Sequence, residues 1–256
     1  MYLELETLYV SVEKGIATLT LNRPQQRNAC NGQMCRDLLT AAARLGADDA
    51  VRVVVVRAAG TAFCAGMDLK ENQQLSAGDM LGRRALGFSA YDALENLPQP
   101  VIAVVQGPAY GSGCEIAAAC DFVLASSEAR FCYPEVARGT VGATQRLPRI
   151  AGTRKAKELL FTSRVFDAAE AKEIGLVNHV YAPDELDAAV QDMAARIAEM
   201  DPGTVQATKR CVDRGVETTR EGAMAIELLA IQQNLQGTSW QDGIQSFVAA
   251  KKGGNE

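Results

Sequence analysis

Polar and apolar positions alternate from Leu8 to Val12, Lys14-Gly15 can turn the chain, and Ile16 to Leu21 follows as a second strand. This pattern predicts a β-hairpin, which Asn22-Arg23-Pro24 ends. Asn31 can then cap a helix running to about Gly46, with Met34, Leu38, Leu39, Ala42 and Leu45 on one side. Val51 to Arg57 is a β-branched run, the pattern of a strand buried on both faces of a parallel sheet. A helical pattern occupies about Ala77 to Asn96. The motif then recurs. Val101 to Val105 is a second buried strand, it ends in a turn from Gly107 to Gly113, and a helix runs on to about Cys120. Phe122 to Ala125 and Ala129 to Cys132 are further short strands. The architecture of strand, glycine-rich turn and helix repeats, without a strict sequence repeat.

From about Arg154 the chain turns helical. Ala156 to Phe161, Ala168 to Ile174, Asp184 to Met200, Thr204 to Val216 and Arg220 to Gln236 carry helical spacing, and Val177 to Tyr181 is a last short strand. Trp240 to Ala250 reads as a final amphipathic helix anchored by Trp240, with a tail from Lys251 expected to fray. The expected organisation is an α/β core over residues 1–200 and a helical segment over residues 201–256 that serves oligomerisation.

Composition narrows the chemistry. Among 256 residues there is a single histidine, His179. A zinc site built on several histidines is therefore impossible within one chain, and any Ser-His-Asp triad would have to use His179. That residue sits in a short strand and is expected to lie at the surface. The net charge of −5 and scattered Lys and Arg disfavour nucleic-acid binding. No apolar stretch reaches the ~20 residues of a membrane span. The start of the chain carries Glu4 and Glu6 and does not read as a signal peptide, so a cytoplasmic protein is expected. Seven cysteines occur with no Cys-x-x-Cys pair, the usage of reduced thiols serving as small hydrophobes. The lesser reading is a reactive thiol at Cys64 or Cys114, both in glycine-rich turns.

Two loops stand out. Ala62-Phe63-Cys64-Ala65-Gly66-Met67-Asp68-Leu69 and Gly111-Ser112-Gly113-Cys114-Glu115 each follow a buried strand and precede a helix. Small residues let backbone approach a ligand, and a helix N-terminus offers unpaired N–H groups. Side by side, two such turns could aim two donors at one oxygen, as an oxyanion hole. Glycine-rich strand-to-helix turns are common, and tight packing explains most of them. Neither reads Gly-x-Gly-x-x-Gly, no Gly-Lys-Ser/Thr closes a phosphate loop, and there is no Gly-x-Ser-x-Gly elbow. Glu115 and Glu135 lie in apolar surroundings, as carboxylates that are either structural or catalytic with altered pKa.

Taken together and in order, the pieces Leu21-Asn22-Arg23-Pro24, Arg27-Asn28-Ala29, Phe63 to Leu69, Pro100 to Ala103, Gly111 to Glu115, Cys120-Asp121, Tyr133-Pro134-Glu135, Thr144 to Arg149 and Ala171-x-x-x-Gly175-Leu176-Val177 make the chain similar to the enoyl-CoA hydratase/isomerase family, the crotonase superfamily. The resemblance covers nearly the whole chain. It implies an α/β fold, a crotonase-like spiral of repeated ββα units with a C-terminal helical extension. It also implies an oxyanion hole from the backbone N–H groups of Met67 and Ser112. Glu115 and Glu135, 20 positions apart, fall on the two glutamates of the family's hydratases. Gln25, Gln26, Arg27, Ala65, Gly66, Asp68, Leu69, Lys70 and Gly111 would line the CoA and acyl groove, with Asp68 also fixing the first loop. No metal and no cofactor is implied, since coenzyme A belongs to the substrate. The expected partners are an acyl-CoA and further copies of the chain as a trimer or paired trimers, with no nucleic acid and no membrane.

The chain departs from the family pattern in three places. Ser112 stands at the middle glycine of the usual Gly-Gly-Gly-x-Glu, the loop Gly139 to Ala143 is shorter, and the basic pattern after Asp242 is reduced. Retention of both glutamates points to hydration of a 2-enoyl-CoA. The alternatives are double-bond isomerisation, hydrolysis of a thioester or a ring, and acyl-CoA binding without turnover.

Overall fold

In the computed structural model, which describes residues 2–238, 240–245 and 248, Lys14 and Gly15 both adopt positive φ, 50° and 80°. Two such residues match a tight turn to the right-handed twist of its strands. The elements run β1 (Leu3–Glu4), β2 (Leu8–Glu13), β3 (Ile16–Leu21), α1 (Gly32–Gly46), β4 (Val53–Ala58), α2 (Leu69–Asn72), α3 (Ala77–Glu95), β5 (Val101–Val105), β6 (Ala109–Tyr110), α4 (Ser112–Ala118), β7 (Phe122–Ser126), β8 (Arg130–Cys132), α5 (Arg146–Thr162), β9 (Phe166–Asp167), α6 (Ala168–Glu173), β10 (His179–Tyr181), α7 (Leu186–Ala198), α8 (Pro202–Gly215) and α9 (Arg220–Asn234).

Residues up to Ala198 form one compact unit and those from Glu199 a second. In the first, a seven-stranded sheet has the order β1-β2-β3-β4-β5-β7-β10. The β1, β2 and β3 strands pair antiparallel, and the neighbours from β3 to β10 are parallel. A small second sheet, β6-β8-β9, lies beside it. The β-branched run is buried on both faces, as its composition predicts. Val54 and Val56 join the main core with Leu38, Phe63 and Leu94, while Val53 and Val55 meet Leu186 and Val190 of α7. One strand with alternating sides therefore seals two apolar layers.

Asn31 caps α1 by accepting from the Met34 N–H at 2.9 Å, the interaction its residue type favours. The structure adds β1, α2, β6 and β9, all too short to carry a period. It also starts α5 earlier than the pattern, at Arg146. Gly152 (φ 74°, ψ 157°) breaks the helix, so its first turns were too short to register as a separate amphipathic segment. In the second unit, Asp201 caps α8 by accepting from the Thr204 N–H at 2.8 Å. Asn234 at the end of α9 donates to Thr204 Oγ1 at the start of α8 (3.0 Å), so the two helices run back along each other. Val212, Val216, Leu228 and Leu229 stay exposed on this pair. Of the last predicted helix, Trp240 to Ala250, residues 240–245 are helical. Residues 246, 247, 249 and 250 and the tail from Lys251 lie outside the described residues.

Candidate active site

β4 and β5 are parallel neighbours, and the loops that leave their C-terminal ends lie together, where open α/β sheets place their ligands. Asn28 holds the base of the first loop. Its fully buried amide donates to the carbonyls of Ala59 (2.8 Å) and Ala62 (2.9 Å), while its Oδ1 accepts from the Arg23 N–H (2.8 Å). Further along, Cys30 N–H donates to the Gly66 carbonyl (2.8 Å), and Asp68 N–H donates to the Cys30 carbonyl (3.0 Å). In this parallel bridge Met67 is the residue between, so its own N–H turns away from Cys30.

The second loop is stitched to the first. Cys64 N–H donates to the Pro108 carbonyl (3.1 Å), and Tyr110 N–H donates to the Cys64 carbonyl (2.9 Å). A Cβ at Gly113 would lie 2.4 Å from the Cys64 carbonyl oxygen, so only glycine lets α4 start this close to the first loop. Ser112 is the first residue of α4, and its N–H belongs to the turn that no intrahelical carbonyl can satisfy. The positive φ of this turn (49°) falls on Gly111, so the serine in place of a glycine brings no backbone strain.

Both glutamates reach the cavity of about 260 Å³ that Met67, Gly111 and Ser112 also line. Glu115, on the first turn of α4, is only 5% exposed. Its Oε2 faces Arg146 Nη1 at 3.3 Å, and its Oε1 is buried without a protein partner. Burial pushes its carboxyl above the ordinary carboxylate range, and Arg146 opposes that push. Glu135 follows β8, and a Cβ at Gly111 would stand 3.0 Å from its Oε1. Its Oε2 is likewise buried and unpartnered. Burial raises this carboxyl too, against the charges of Arg84 and Arg138.

Of the other expected site residues, Leu69 and Gly111 line the cavity. Gln25, Gln26, Arg27 and Lys70 are exposed and lie outside its lining, while Ala65 ties the Gln25–Arg27 turn to the first loop through its N–H to the Arg27 carbonyl (3.0 Å). Gly66 is buried in the loop backbone. The Asp68 carboxylate is committed within the protein, since it accepts from Lys70 N–H (3.1 Å) and pairs with Arg23 (3.0 Å). His179 is exposed on β10, away from the cavity. Cys64 and Cys114 are fully buried, and burial pushes both thiols up, which disfavours the reactive thiolate.

A helix from Ser76 to Asn96 is the expected shaper of the acyl pocket, and α3 does line the cavity, but its individual residues, the Arg84 contacts and the Arg146 pairing were not foreseen. Met80, Arg83, Arg84, Gly87, Phe88 and Tyr91 form one face of α3 along the cavity wall, but their mixed polarity hides the stripe from an apolar count. Arg84 donates to the Val141 carbonyl (2.9 Å) and Thr140 Oγ1 (2.7 Å), holding the short loop. Arg146 comes from 31 residues away to meet Glu115, a pairing that only folding creates.

The profile of the enoyl-CoA hydratase/isomerase family matches residues 11–254. The chain belongs to the enoyl-CoA hydratase/isomerase family. It is 37% identical over 251 residues to a crotonyl-CoA hydratase of Syntrophomonas wolfei, with 96% of each chain covered. It is 36% identical to a short-chain-enoyl-CoA hydratase of Clostridium acetobutylicum, covering 98% of this chain and 97% of that protein. Among solved structures, an enoyl-CoA hydratase from Bacillus anthracis superposes with a TM-score of 0.93 at 30% identity, over 96% of this chain and 97% of that one. One from Mycobacterium smegmatis gives 0.92 at 36% identity, with the same coverage. The fold is thus that of the crotonase-like members of this enoyl-CoA hydratase/isomerase family, and the chain is an enzyme of the hydro-lyase type. Among the described residues no helix is long and apolar enough to cross a membrane, and no three His, Cys, Asp or Glu side chains are placed to hold a metal.

Proposed function

We propose that the protein adds water reversibly across the 2,3 double bond of a 2-enoyl-CoA thioester. The observation that carries this reading is that Glu115 and Glu135 line one cavity, each with a buried oxygen that no protein group satisfies. A buried acceptor without a partner costs about 1–3 kcal/mol, and a water or a reacting group bound between the two would recover that cost. The backbone N–H groups of Met67 and Ser112 hold the thioester oxygen as negative charge grows on it during addition. Glu115, kept in part anionic by Arg146, takes the proton from water as it attacks C3. Glu135 delivers a proton to C2. The raised carboxyls hold a proton more readily than free glutamates, which suits groups that accept and donate one. No cofactor enters this scheme.

The acyl group is proposed to be short. The cavity of about 260 Å³ supports this, as do the names of the Syntrophomonas and Clostridium relatives. The exposed turn Gln25–Arg27 and Lys70 would contact the CoA moiety. The exposed apolar residues of α8 and α9 are proposed to be buried against other copies in a trimer.

A panel of 2-enoyl- and 3-enoyl-CoA esters, read by mass spectrometry for gain of water, tests the reaction. Crotonyl-CoA should gain water, and Glu115→Ala and Glu135→Ala should lose turnover while still binding a CoA ester. Conversion of a 3-enoyl ester to its 2-enoyl isomer without water uptake would replace hydration by isomerisation.

A further inference from the structure

Behind the first loop, Cys30 and Cys35 bring their sulfurs to 3.5 Å. Cys30 immediately precedes the capping residue Asn31, and Cys35 is the fourth residue of α1. These are the two positions whose side chains meet across a helix N-terminus. Both are fully buried. Arg83 of α3 closes over them: its Nη1 lies 3.4 Å from Cys35 Sγ, and its Nη2 donates to the Cys30 carbonyl at 2.6 Å and lies 4.0 Å from Cys30 Sγ. A guanidinium against a thiol pair favours thiolate, the reactive form. The Cys35 hydrogen bond, joined by Arg83, outweighs burial and draws the Cys30 thiol below its ordinary value. Cys35 is pushed up in turn. The directions of these shifts make Cys30 the candidate nucleophile and Cys35 the resolving thiol, with Arg83 against both sulfurs.

Arg83 and Tyr91 separate the buried pair from the cavity. Tyr91 Oη lies 4.0 Å from Cys30 Sγ, and Tyr91 and Arg83 also line the cavity. A small oxidant in the cavity therefore reaches Cys30 when Tyr91 or Arg83 swings aside. The Cys30 backbone, in turn, holds Met67 from both sides, through Gly66 and Asp68.

We propose that Cys30 and Cys35 form a redox-active pair that a hydroperoxide closes to a disulfide, displacing the Met67 loop and stopping turnover. The Cys30 thiolate attacks one peroxide oxygen, the O–O bond breaks and, for hydrogen peroxide, water leaves once it has taken a proton. The resulting sulfenic acid is attacked by the Cys35 sulfur, its S–O bond breaks, and a second water departs with the Cys35 proton. Two thiols and one hydrogen peroxide become one disulfide and two waters. The sulfurs, 3.5 Å apart as thiols, must close to about 2.05 Å. The Cys30 backbone that carries its sulfur also carries two hydrogen bonds to the loop. The disulfide stands on its own; its effect on turnover rests on the oxyanion role proposed for Met67.

The test treats the reduced, active protein with graded hydrogen peroxide, blocks free thiols with N-ethylmaleimide and digests with trypsin. Both cysteines fall in one peptide, residues 28–36, bounded by Arg27 and Arg36. The expected result is an unblocked peptide lighter by two hydrogen atoms, appearing in step with a fall in kcat on the order of tenfold to a hundredfold. Dithiothreitol should restore both. Cys35→Ala should form no disulfide at the same dose, and Cys30 should then be trapped as its sulfenic acid by dimedone. Full blocking of residues 28–36 at a dose that oxidises other cysteines would overturn the proposal. A disulfide with unchanged kcat would overturn the coupling to Met67. Absence of hydratase activity in the reduced protein would instead overturn the proposed function, and the peptide result would still report on the pair.

Discussion

Arg146 Nη1 lies 3.3 Å from Glu115 Oε2, while the same guanidinium grips Asp92 at 2.6 Å and Glu95 at 2.5 Å on α3. One side chain thereby fixes the Glu115 carboxylate against the wall of its own cavity and leaves its other oxygen free. Its charge also opposes the burial that raises the Glu115 carboxyl. Orientation of Glu115 and opposition to its raised carboxyl come from the same residue.

Arg146→Gln should therefore shift the pH dependence of turnover. Removing the opposing charge lets the Glu115 carboxyl rise further. The base is then protonated over a wider range, so the acid limb of the kcat profile moves to higher pH. Arg146→Lys should keep the limb closer to the parent, with lower kcat from lost geometry. A pH–rate series on crotonyl-CoA reads the limb, and an unmoved limb in the glutamine variant would reject this role.

Ser112→Pro separates backbone from side chain. Proline is tolerated at the first helical position, where the N–H has no helical partner. The variant should fold with a circular dichroism spectrum like the parent. It should lose about 10²–10³ in kcat, the cost of one oxyanion donor. Ser112→Gly keeps the N–H and should keep turnover, with stability lowered by up to about 1 kcal/mol.

Glu135→Gln should trade activity for stability. A folded-state carboxyl above its unfolded value holds its proton longer, so folding binds protons between the two values. Stability of the parent is then lost as pH rises from the ordinary carboxylate value, about 4.3, through the raised one. Glutamine removes that loss. Thermal midpoints of the two proteins should converge at low pH and separate toward neutrality with the variant higher, while the variant's turnover falls.

Asn28→Leu should destabilise strongly. It leaves the Ala59 and Ala62 carbonyls and the Arg23 N–H without the amide that now satisfies them. Each buried orphan costs about 1–3 kcal/mol. It also puts a branched side chain at φ 54°, where asparagine is one of the few residues at ease. Urea denaturation should show a midpoint well below the parent.

The elements were legible wherever a period had room to show itself. Leu8 to Leu21 as a hairpin, Asn31 as a cap and Val53 to Val56 as a twice-buried strand follow from local pattern and local chemistry. The departure at Ser112 was legible too, but its harmlessness was not. That depended on Gly111 taking the positive φ, which is a property of the turn.

Sequence alone therefore determined the succession of the longer strands and helices, the two glycine-rich turns and the identity of Glu115 and Glu135 as carboxylates in apolar company. The tertiary structure decided where those carboxylates sit. It placed them on one cavity with unsatisfied oxygens, brought Arg146 to Glu115, and set the thiols of Cys30 and Cys35 behind Met67. The physical reason is range. Propensity and periodicity act over a few residues, whereas desolvation and charge pairing depend on which distant groups the packing of α3, α4 and α5 brings within a few ångströms.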